Sequence, residues 1–300
     1  MSRYIKNIHI NKVRHLSNIN IPLDKEDYPH LMITGKNGSG KTSLLNAIAN
    51  YIERVAKSIY KKFENLGEVT VTFEDIDSLI RRHQEGNFIL AFYEAHRTIK
   101  KLKEPKTPTK PTLRRRSKIK DSLTSQFLNF LADLKIQEAL ARNEELENDA
   151  NHIRKWFVNF EELLGEIFQD KDLQLYFNYK DYSFKILTKG KEFKFTELSD
   201  GFAAVLDIIV DLILKMQKKN QLIRVYECDG IVLVDEIETH LHLELQKVIM
   251  PLLTEIFPNI QFIVTTHSPF VLSSLSNAVA FDLEHQEIIE DLTEYSYESL

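Results

Sequence analysis

A stretch near the N-terminus has the residue types and spacing of a phosphate-binding loop. Residues 35–42 read GKNGSGKT, a complete G-x-x-x-x-G-K-T. Glycines at these positions let backbone N–H groups turn inward around a phosphate. Lys41 can reach the β- and γ-phosphates of a nucleotide, and the Thr42 hydroxyl can be a ligand of Mg²⁺. The candidate nucleotide-binding residues of this stretch are Asn37, Gly38, Ser39, Gly40, Lys41, Thr42 and Ser43.

Two carboxylates follow an apolar stretch in the C-terminal half of the chain. Residues 230–234 read GIVLV, and Asp235 and Glu236 come directly after them. A fully apolar strand is typical of a central, parallel position in a sheet. At the end of such a strand Asp235 can hold Mg²⁺, and Glu236 can polarise a water that attacks a phosphate. The alternative is a strand that ends in solvated acids.

A histidine and a serine–glycine pair complete the candidate residues. His267 follows the apolar residues 261–266, where an imidazole can hydrogen-bond a γ-phosphate; a structural polar cap is the alternative. Ser199 can cap the helix that begins after it, and Gly201 permits a close approach of the backbone, which suits a phosphate at a helix N-terminus. This last signal is weak alone, because any capped helix has the same pattern.

Hydrophobic periodicity predicts the elements that must position these residues. A short buried strand at residues 31–33 precedes the glycine-rich loop, and a helix follows it to about residue 63. Residues 125–168 predict two helices broken around residues 148–151, with Trp156 in their core rather than on a stacking surface. The remaining prediction is a helix at 76–84, a helix after Ser199, and strands at 5–23 (two), 69–73, 87–93, 173–177, 182–187, 193–195, 230–236 and 261–266.

Composition narrows the class of protein. The chain has 300 residues, of which 43% are hydrophobic and 28% charged, as in ordinary globular proteins. The net charge of −5 gives no global argument for a nucleic-acid partner. The single cysteine, Cys228, excludes an intramolecular disulfide framework. The N-terminus is too polar for a signal peptide and no apolar run is long enough to span a bilayer, so we expect a cytoplasmic protein without a membrane partner.

Residues 100–120 are rich in lysine, arginine and proline and contain a single acid, Glu104. One interpretation is a solvated, charged loop. The other is a basic patch for DNA, RNA or an acidic partner. The sequence leaves both open.

The four motifs together resemble a known family. GKNGSGKT, LSDGF, VLVDEIETHLH and VTTHSP occur in the order found in ABC-type ATPases, in the group that contains RecF, Rad50, SMC and OLD proteins. The chain looks most like the stand-alone AAA family ATPases of prokaryotic anti-phage defence systems such as PARIS, Septu and some retrons. The resemblance covers roughly residues 1–98 and 170–285. It implies an α/β fold, an ABC-type P-loop ATPase head of mixed and parallel sheets flanked by helices.

The resemblance also implies domains, cofactors and partners. Residues 1–98 and 170–300 would form the head, 99–124 a basic linker, and 125–169 an inserted helical subdomain. ATP and Mg²⁺ would be bound, and each chain's signature loop would complete the site of a second copy. By this resemblance Lys41 and Thr42 match Walker A, Asp235 and Glu236 match Walker B, Ser199 and Gly201 match the signature loop, residues 238–242 match the D-loop, and His267 matches the switch histidine.

The chain departs from the family pattern at several positions. Asp200 and Phe202 differ from the transporter signature. His96 or Arg97 stands where a Q-loop glutamine is usual, and Leu243 stands where relatives often have proline. The sequence H-x-H at residues 240–242 suggests a metal site in isolation, but its place after the strand favours a D-loop.

Four functions are compatible with these motifs. The first is an ATP-driven sensor or scaffold that controls a separate effector, a nuclease or toxin, in a defence system, in response to DNA or a phage-derived trigger. The effector is expected to be another polypeptide because the sequence ends about 30 residues after His267 and carries no appended nuclease motif. The second is a RecF-like ATPase of DNA repair or DNA structure. A transporter subunit is disfavoured by the degenerate signature. The fourth is a nucleotide-locked structural module with negligible turnover, against which the intact Glu236 argues.

Overall fold

The computed structural model describes residues 4–23, 29–57, 67–95, 102–104, 118–217 and 228–289. Its strands are β1 (Ile5–Val13), β2 (Leu16–Pro22), β3 (His30–Thr34), β4 (Val69–Phe73), β5 (Phe88–Tyr93), β6 (Gln174–Asn178), β7 (Ser183–Thr188), β8 (Lys191–Lys194), β9 (Asp229–Val234), β10 (Ile260–Thr265), β11 (Ala278–Asp282) and β12 (Glu287–Ile289). Its helices are α1 (Lys41–Lys57), α2 (Ile76–Gln84), α3 (Phe127–Asn143), α4 (Glu147–Phe168), α5 (Asp200–Met216), α6 (Leu243–Ile256) and α7 (Pro269–Leu272).

The described residues form two compact units. The first unit comprises those within 1–97, 115–121 and 226–300, and the second comprises those within 98–114 and 122–225. The predicted head included residues 170–300, of which the described residues 170–217 share a unit with the helices of 125–169. Compactness does not decide which segments make up an ATPase head, so the predicted domain boundaries stay a prediction.

A six-stranded sheet forms the centre of the first unit. Its strand order is β12-β11-β3-β10-β9-β5. All neighbouring strands are parallel except β12, which pairs antiparallel with β11. The predicted central, parallel position of the Gly230 strand is confirmed, because β9 lies between β10 and β5. Since parallel strands end at the same edge, the residues that follow β3, β5, β9 and β10 gather there.

A second sheet and helix α1 complete the core of this unit. Strands β2, β1 and β4 form an antiparallel sheet in that order. Helix α1 buries apolar residues at helical spacing, among them Leu45 and Ile52. They belong to one hydrophobic core with Ile8 of β1, Val71 of β4 and Ile263 of β10. The core residues of both sheets therefore fix the helix whose first residue is Lys41.

The second unit combines helices with a small sheet. Strands β6, β7 and β8 pair antiparallel, and α3 and α4 form a helical hairpin. The prediction that Trp156 lies in a core is confirmed: it is 6% exposed and stacks on Phe160 with ring centroids 5.3 Å apart. In α5 the ammonium of Lys215 and the carboxylate of Asp211 are 2.8 Å apart and both buried. The backbone N–H of Leu123 donates to the same carboxylate at 2.5 Å.

The predicted α/β fold class, with mixed sheets flanked by helices, is confirmed. One detail is wrong: the break between α3 and α4 lies at residues 144–146, where Glu145 has a φ of 58°, and not around 148–151. The predicted end of α1 near residue 63 and most of the basic segment 100–120 lie outside the described residues. No helix within the described ranges is long and apolar enough to cross a membrane.

Candidate nucleotide-binding site

The loop between β3 and α1 has the backbone conformation that its glycines permit. Gly35, Gly38 and Gly40 have φ values of 139°, 85° and 100°, which disfavour residues with a side chain. A Cβ on Gly35 would lie 2.9 Å from the Ser39 Oγ, and one on Gly40 would lie 3.0 Å from the Leu16 Cδ1. The Ser39 Oγ is buried and has no hydrogen-bond partner. The loop therefore forms a cradle with an unsatisfied hydroxyl.

Lys41 begins α1 and turns back over this loop. Its Nζ donates to the carbonyl oxygens of Gly35 and Lys36 at 2.7 and 3.1 Å. The residue is only 5% exposed, and burial lowers its pKa below the usual value. Three carboxylates act in the opposite direction and raise that pKa, those of Glu236, Glu238 and Asp235. The ammonium and the acids after β9 are thus close enough to interact.

Asp235 is held in place at the end of β9. Its backbone N–H donates to the Tyr93 carbonyl at 2.8 Å. Its Oδ1 accepts from the Thr265 hydroxyl at 2.7 Å, and that hydroxyl accepts from the Glu236 N–H at 2.8 Å. The other oxygen of Asp235, Oδ2, is buried without a partner. A buried, unpartnered carboxylate oxygen costs free energy and is a suitable ligand for a hard cation.

Glu236 and His267 face each other across two strand ends. The Glu236 Oε1 and the His267 Nε2 are 4.0 Å apart. Glu236 has a φ of 45°, an uncommon conformation for a residue with a side chain and one often found at functional sites. Burial, and after it the charge of Lys41, lower the pKa of His267 below its usual value. The imidazole is therefore neutral at neutral pH.

The structure brings the candidates of the first unit together. Lys41, Asp235, Glu236 and His267 lie around the loop of residues 35–42 at the carboxyl edge of the central sheet. Thr42 is exposed in the first turn of α1, and its carbonyl accepts from the Asn46 side chain at 2.8 Å. Two unpartnered buried oxygens, the hydroxyl of Ser39 and the Oδ2 of Asp235, fit a site for phosphate and Mg²⁺.

Ser199 and Gly201 belong to the second unit, so one unit does not carry all the candidates. Ser199 is the N-cap residue of α5, as predicted, but its side chain makes no capping hydrogen bond and is exposed. Its carbonyl accepts from the Ala203 N–H at 2.9 Å. Phe202, which departs from the transporter signature, stacks on Phe168 with ring centroids 4.5 Å apart. That position therefore fixes the start of α5 against α4.

Sequence reasoning missed Thr265 altogether and placed Glu238 only in the D-loop, without its contact to His267. Thr265 bridges Asp235 and Glu236, although the sequence shows only a threonine at the end of an apolar strand. Glu238 accepts from the His267 N–H through Oε1 at 2.5 Å, and its Oε2 is buried without a partner. The signal that could have found it is the third acid within residues 235–238. His96 and Arg97 lie outside the described residues, and the described residues that follow β5 are Glu94 and Ala95.

The H-x-H at residues 240–242 has a local role. The Nδ1 of His242 accepts from the Leu245 N–H at 3.4 Å and so caps α6. His240 has a φ of 72° in the preceding turn. The cap uses one ring nitrogen of His242, and the D-loop interpretation of these residues stays a prediction.

The sheet order, the glycine-rich loop and the converging acids define a P-loop nucleotide-binding fold. Residues 110–273, more than half of the chain, match the family described as "AAA domain, putative AbiEii toxin, Type IV TA system". The chain belongs to this family.

Similar proteins include ATPases named for prokaryotic defence systems. The Septu protein PtuA of Bacillus mycoides (strain KBAB4) is 28% identical over an alignment 318 residues long. The alignment covers 95% of this chain and 41% of that protein. The Retron Vc95 probable ATPase of Vibrio cholerae is 28% identical over 172 residues, which cover 53% of this chain and 34% of that protein. The chain thus spans well under half the length of these relatives.

Among solved structures, a SmcHead bound to the C-winged helix domain of ScpA is similar to this chain. The alignment covers 93% of this chain and 94% of the SmcHead chain. The TM-score is 0.49 and the sequence identity is 14%.

Proposed function

We propose that this chain binds and hydrolyses ATP with Mg²⁺, and that it acts as a sensor or scaffold controlling a separate effector in a prokaryotic defence system. The observation that carries the enzymatic part is the meeting of Lys41, Asp235, Glu236 and His267 around the glycine-rich loop. Family membership and the Septu and retron relatives support the defence context.

Each residue has a distinct role in this proposal. The Lys41 ammonium leaves the carbonyls of its own loop and binds the β- and γ-phosphates. Thr42 and Asp235 would hold Mg²⁺, which neutralises charge on phosphate oxygens during phosphoryl transfer. Glu236 orients the attacking water and accepts its proton. Neutral His267 donates one hydrogen bond to the γ-phosphate, and Glu238 fixes the His267 backbone.

The second copy of the chain enters through α5. Ser199 is exposed and leaves the N-terminus of a long helix open, a place that favours a phosphate. The resemblance to ABC-type ATPases implies that the signature of one chain completes the nucleotide site of another. Since each chain has one glycine-rich loop and one such signature, two copies are needed to form complete sites. ATP would then hold a dimer together, and hydrolysis would release it.

Steady-state phosphate release tests the enzymatic part. We expect Glu236→Gln to lower turnover by about 100-fold or more, because a positioned general base contributes on that scale. Glu74→Gln is the matched control, since the Glu74 carboxylate pairs with Lys6 directly after β4 and is not one of the candidate site residues, and it should keep full activity. If the unaltered protein and both variants release phosphate at the rate of buffer alone, ATP hydrolysis is refuted and the nucleotide-locked module takes its place.

Co-purification tests the defence context. We expect a protein encoded beside this chain to co-purify with it, and the recovered amount to depend on ATP. Double-stranded DNA should stimulate hydrolysis only modestly. Strong stimulation by DNA, with no partner recovered, would favour the RecF-like function instead.

A further inference from the structure

Residues 118–121 are attached to the edge of the central sheet. The Phe92 N–H on the edge strand β5 donates to the Ile119 carbonyl at 2.7 Å. The Ile119 side chain is 3% exposed and belongs to the core, and its N–H donates to the Glu53 Oε1 at 3.3 Å. Lys118 and Asp121 close the turn with two hydrogen bonds of 3.0 Å. The backbone of this turn is therefore well anchored.

Lys120 extends from this turn to two other elements. Its Nζ donates to the Asn46 Oδ1 on α1 at 2.9 Å and to the Glu94 Oε1 after β5 at 2.5 Å. The same ammonium lies 4.9 Å from the centroid of the Phe92 ring. Three partners from two elements thus hold one cation in a defined place.

Both hydrogen-bond partners of Lys120 are connected to the predicted ligands of Mg²⁺. The Nδ2 of Asn46 donates to the Thr42 carbonyl at 2.8 Å. Glu94 directly follows Tyr93, whose carbonyl accepts from the Asp235 N–H at 2.8 Å. Lys120 therefore closes a connected path between the backbones of Thr42 and Asp235.

We propose that Lys120 is a positioning residue that fixes the separation of Thr42 and Asp235 through Asn46 and Glu94. The inference rests on the proposed function of that site. Residues that orient metal ligands change metal affinity by about 10–100-fold when they are removed. The Lys120 and Glu94 side chains are 43% and 56% exposed, so their ion pair contributes little to folding stability. Loss of Lys120 should change the site and leave the fold intact.

Calorimetric titration with a non-hydrolysable ATP analogue tests this role without turnover. The measured quantity is the ratio of the Kd in EDTA to the Kd in Mg²⁺. We expect Lys120→Met to lower this ratio about tenfold. The Kd in EDTA should not change. Lys118→Met is the matched control, because it removes the same charge from the same turn, and its ratio should equal that of the unaltered protein.

A charge exchange adds a second test. The double variant Lys120→Glu with Glu94→Lys restores the ion pair, but a carboxylate at position 120 cannot donate to the Asn46 Oδ1. We therefore expect it to recover only part of the ratio, whereas Lys120→Glu alone should lose it. A Lys120→Met protein that keeps the full ratio, or that loses thermal stability and EDTA affinity together, overturns the positioning role. If the unaltered protein binds no nucleotide in either buffer, the proposed function itself fails.

Discussion

Two helix N-termini are predicted to meet phosphate, and they differ in how completely the chain prepares them. Helix α1 begins after a loop with three left-handed glycines, and its first residue, Lys41, is almost fully buried. Helix α5 begins at Asp200 after the exposed Ser199, whose side chain makes no capping hydrogen bond. Gly201 is not among the residues with a positive φ.

The difference indicates two kinds of binding surface. Around α1, Lys41 is already paired with loop carbonyls and faced by carboxylates, so a nucleotide exchanges one set of partners for another. At α5 the exposed serine and the open helix end gain partners only when something docks. Phe202 stacks on Phe168 and keeps this end in place. We infer that the first surface binds a nucleotide within one chain, and that the second becomes a binding surface only in a dimer.

The strongest test of this comparison separates turnover from binding at α5. Ser199→Arg places bulk and positive charge at the open helix end. We expect turnover to fall about 100-fold, the scale on which lost electrostatic stabilisation acts. The Kd of a single chain for ATP should stay unchanged. ATP-dependent dimerisation, measured by light scattering in a Glu236→Gln background, should disappear.

A control variant keeps this test specific. Asn151→Arg adds the same bulk and charge to the exposed face of α4 in the same unit, and should leave dimerisation unchanged. If Ser199→Arg weakens ATP binding by the isolated chain as strongly as it slows turnover, then α5 also binds nucleotide within one chain. The proposed difference between the two helix ends would then be wrong.

A second prediction compares glycines at the two helix ends. Gly40→Ala introduces a Cβ at a φ of 100° and 3.0 Å from the Leu16 Cδ1. Strain of this kind costs about 1–3 kcal/mol, so nucleotide binding should weaken roughly tenfold to 100-fold. Gly201→Ala should leave nucleotide binding by a single chain unchanged and slow only dimer-dependent turnover. Equal losses of binding in both variants would contradict the comparison.

The sequence predicted the first helix end well because its signals are local. A strand, a glycine loop with G-K-T and an amphipathic helix are contiguous, and each requires only neighbouring residues. The acids after the Gly230 strand and His267 were also placed by a general rule, since parallel strands end at one edge of a sheet. Their predicted roles in catalysis remain predictions, although the structure brings them together.

The missed features depend on contacts between distant segments. Thr265 matters because β9 and β10 are neighbours in the sheet, which brings its hydroxyl to Asp235. Lys120 was predicted only as part of a basic segment, and its contacts with Asn46 and Glu94 join residues far apart in the chain. The break between α3 and α4 was misplaced because Glu145 adopts a left-handed conformation. A glutamate in the sequence does not predict such a conformation, which is usual for glycine.

The smallest predicted effect concerns the strand that leads into α1. His30 on β3 is 2% exposed, and burial lowers its pKa to about 4 from the usual 6.5. His30 therefore takes up a proton near pH 6.5 in the unfolded chain but only near pH 4 in the folded chain. The free energy of unfolding consequently falls as the pH falls between these values. From pH 7 to pH 5 the loss is about 2 kcal/mol.

Hydrogen exchange measured across a urea series, corrected for the intrinsic exchange rates, gives an unfolding free energy for β3 and for α5 separately. We expect the loss at β3 and not at α5, because His30 belongs to the unit that contains α1. His30→Gln should remove most of this pH dependence, while still offering an acceptor to the Phe262 N–H that now donates to the His30 Nδ1 at 3.2 Å. His152→Gln, on an exposed position of α4, should retain it. An unchanged pH profile in His30→Gln would show that the acid sensitivity of β3 has another source.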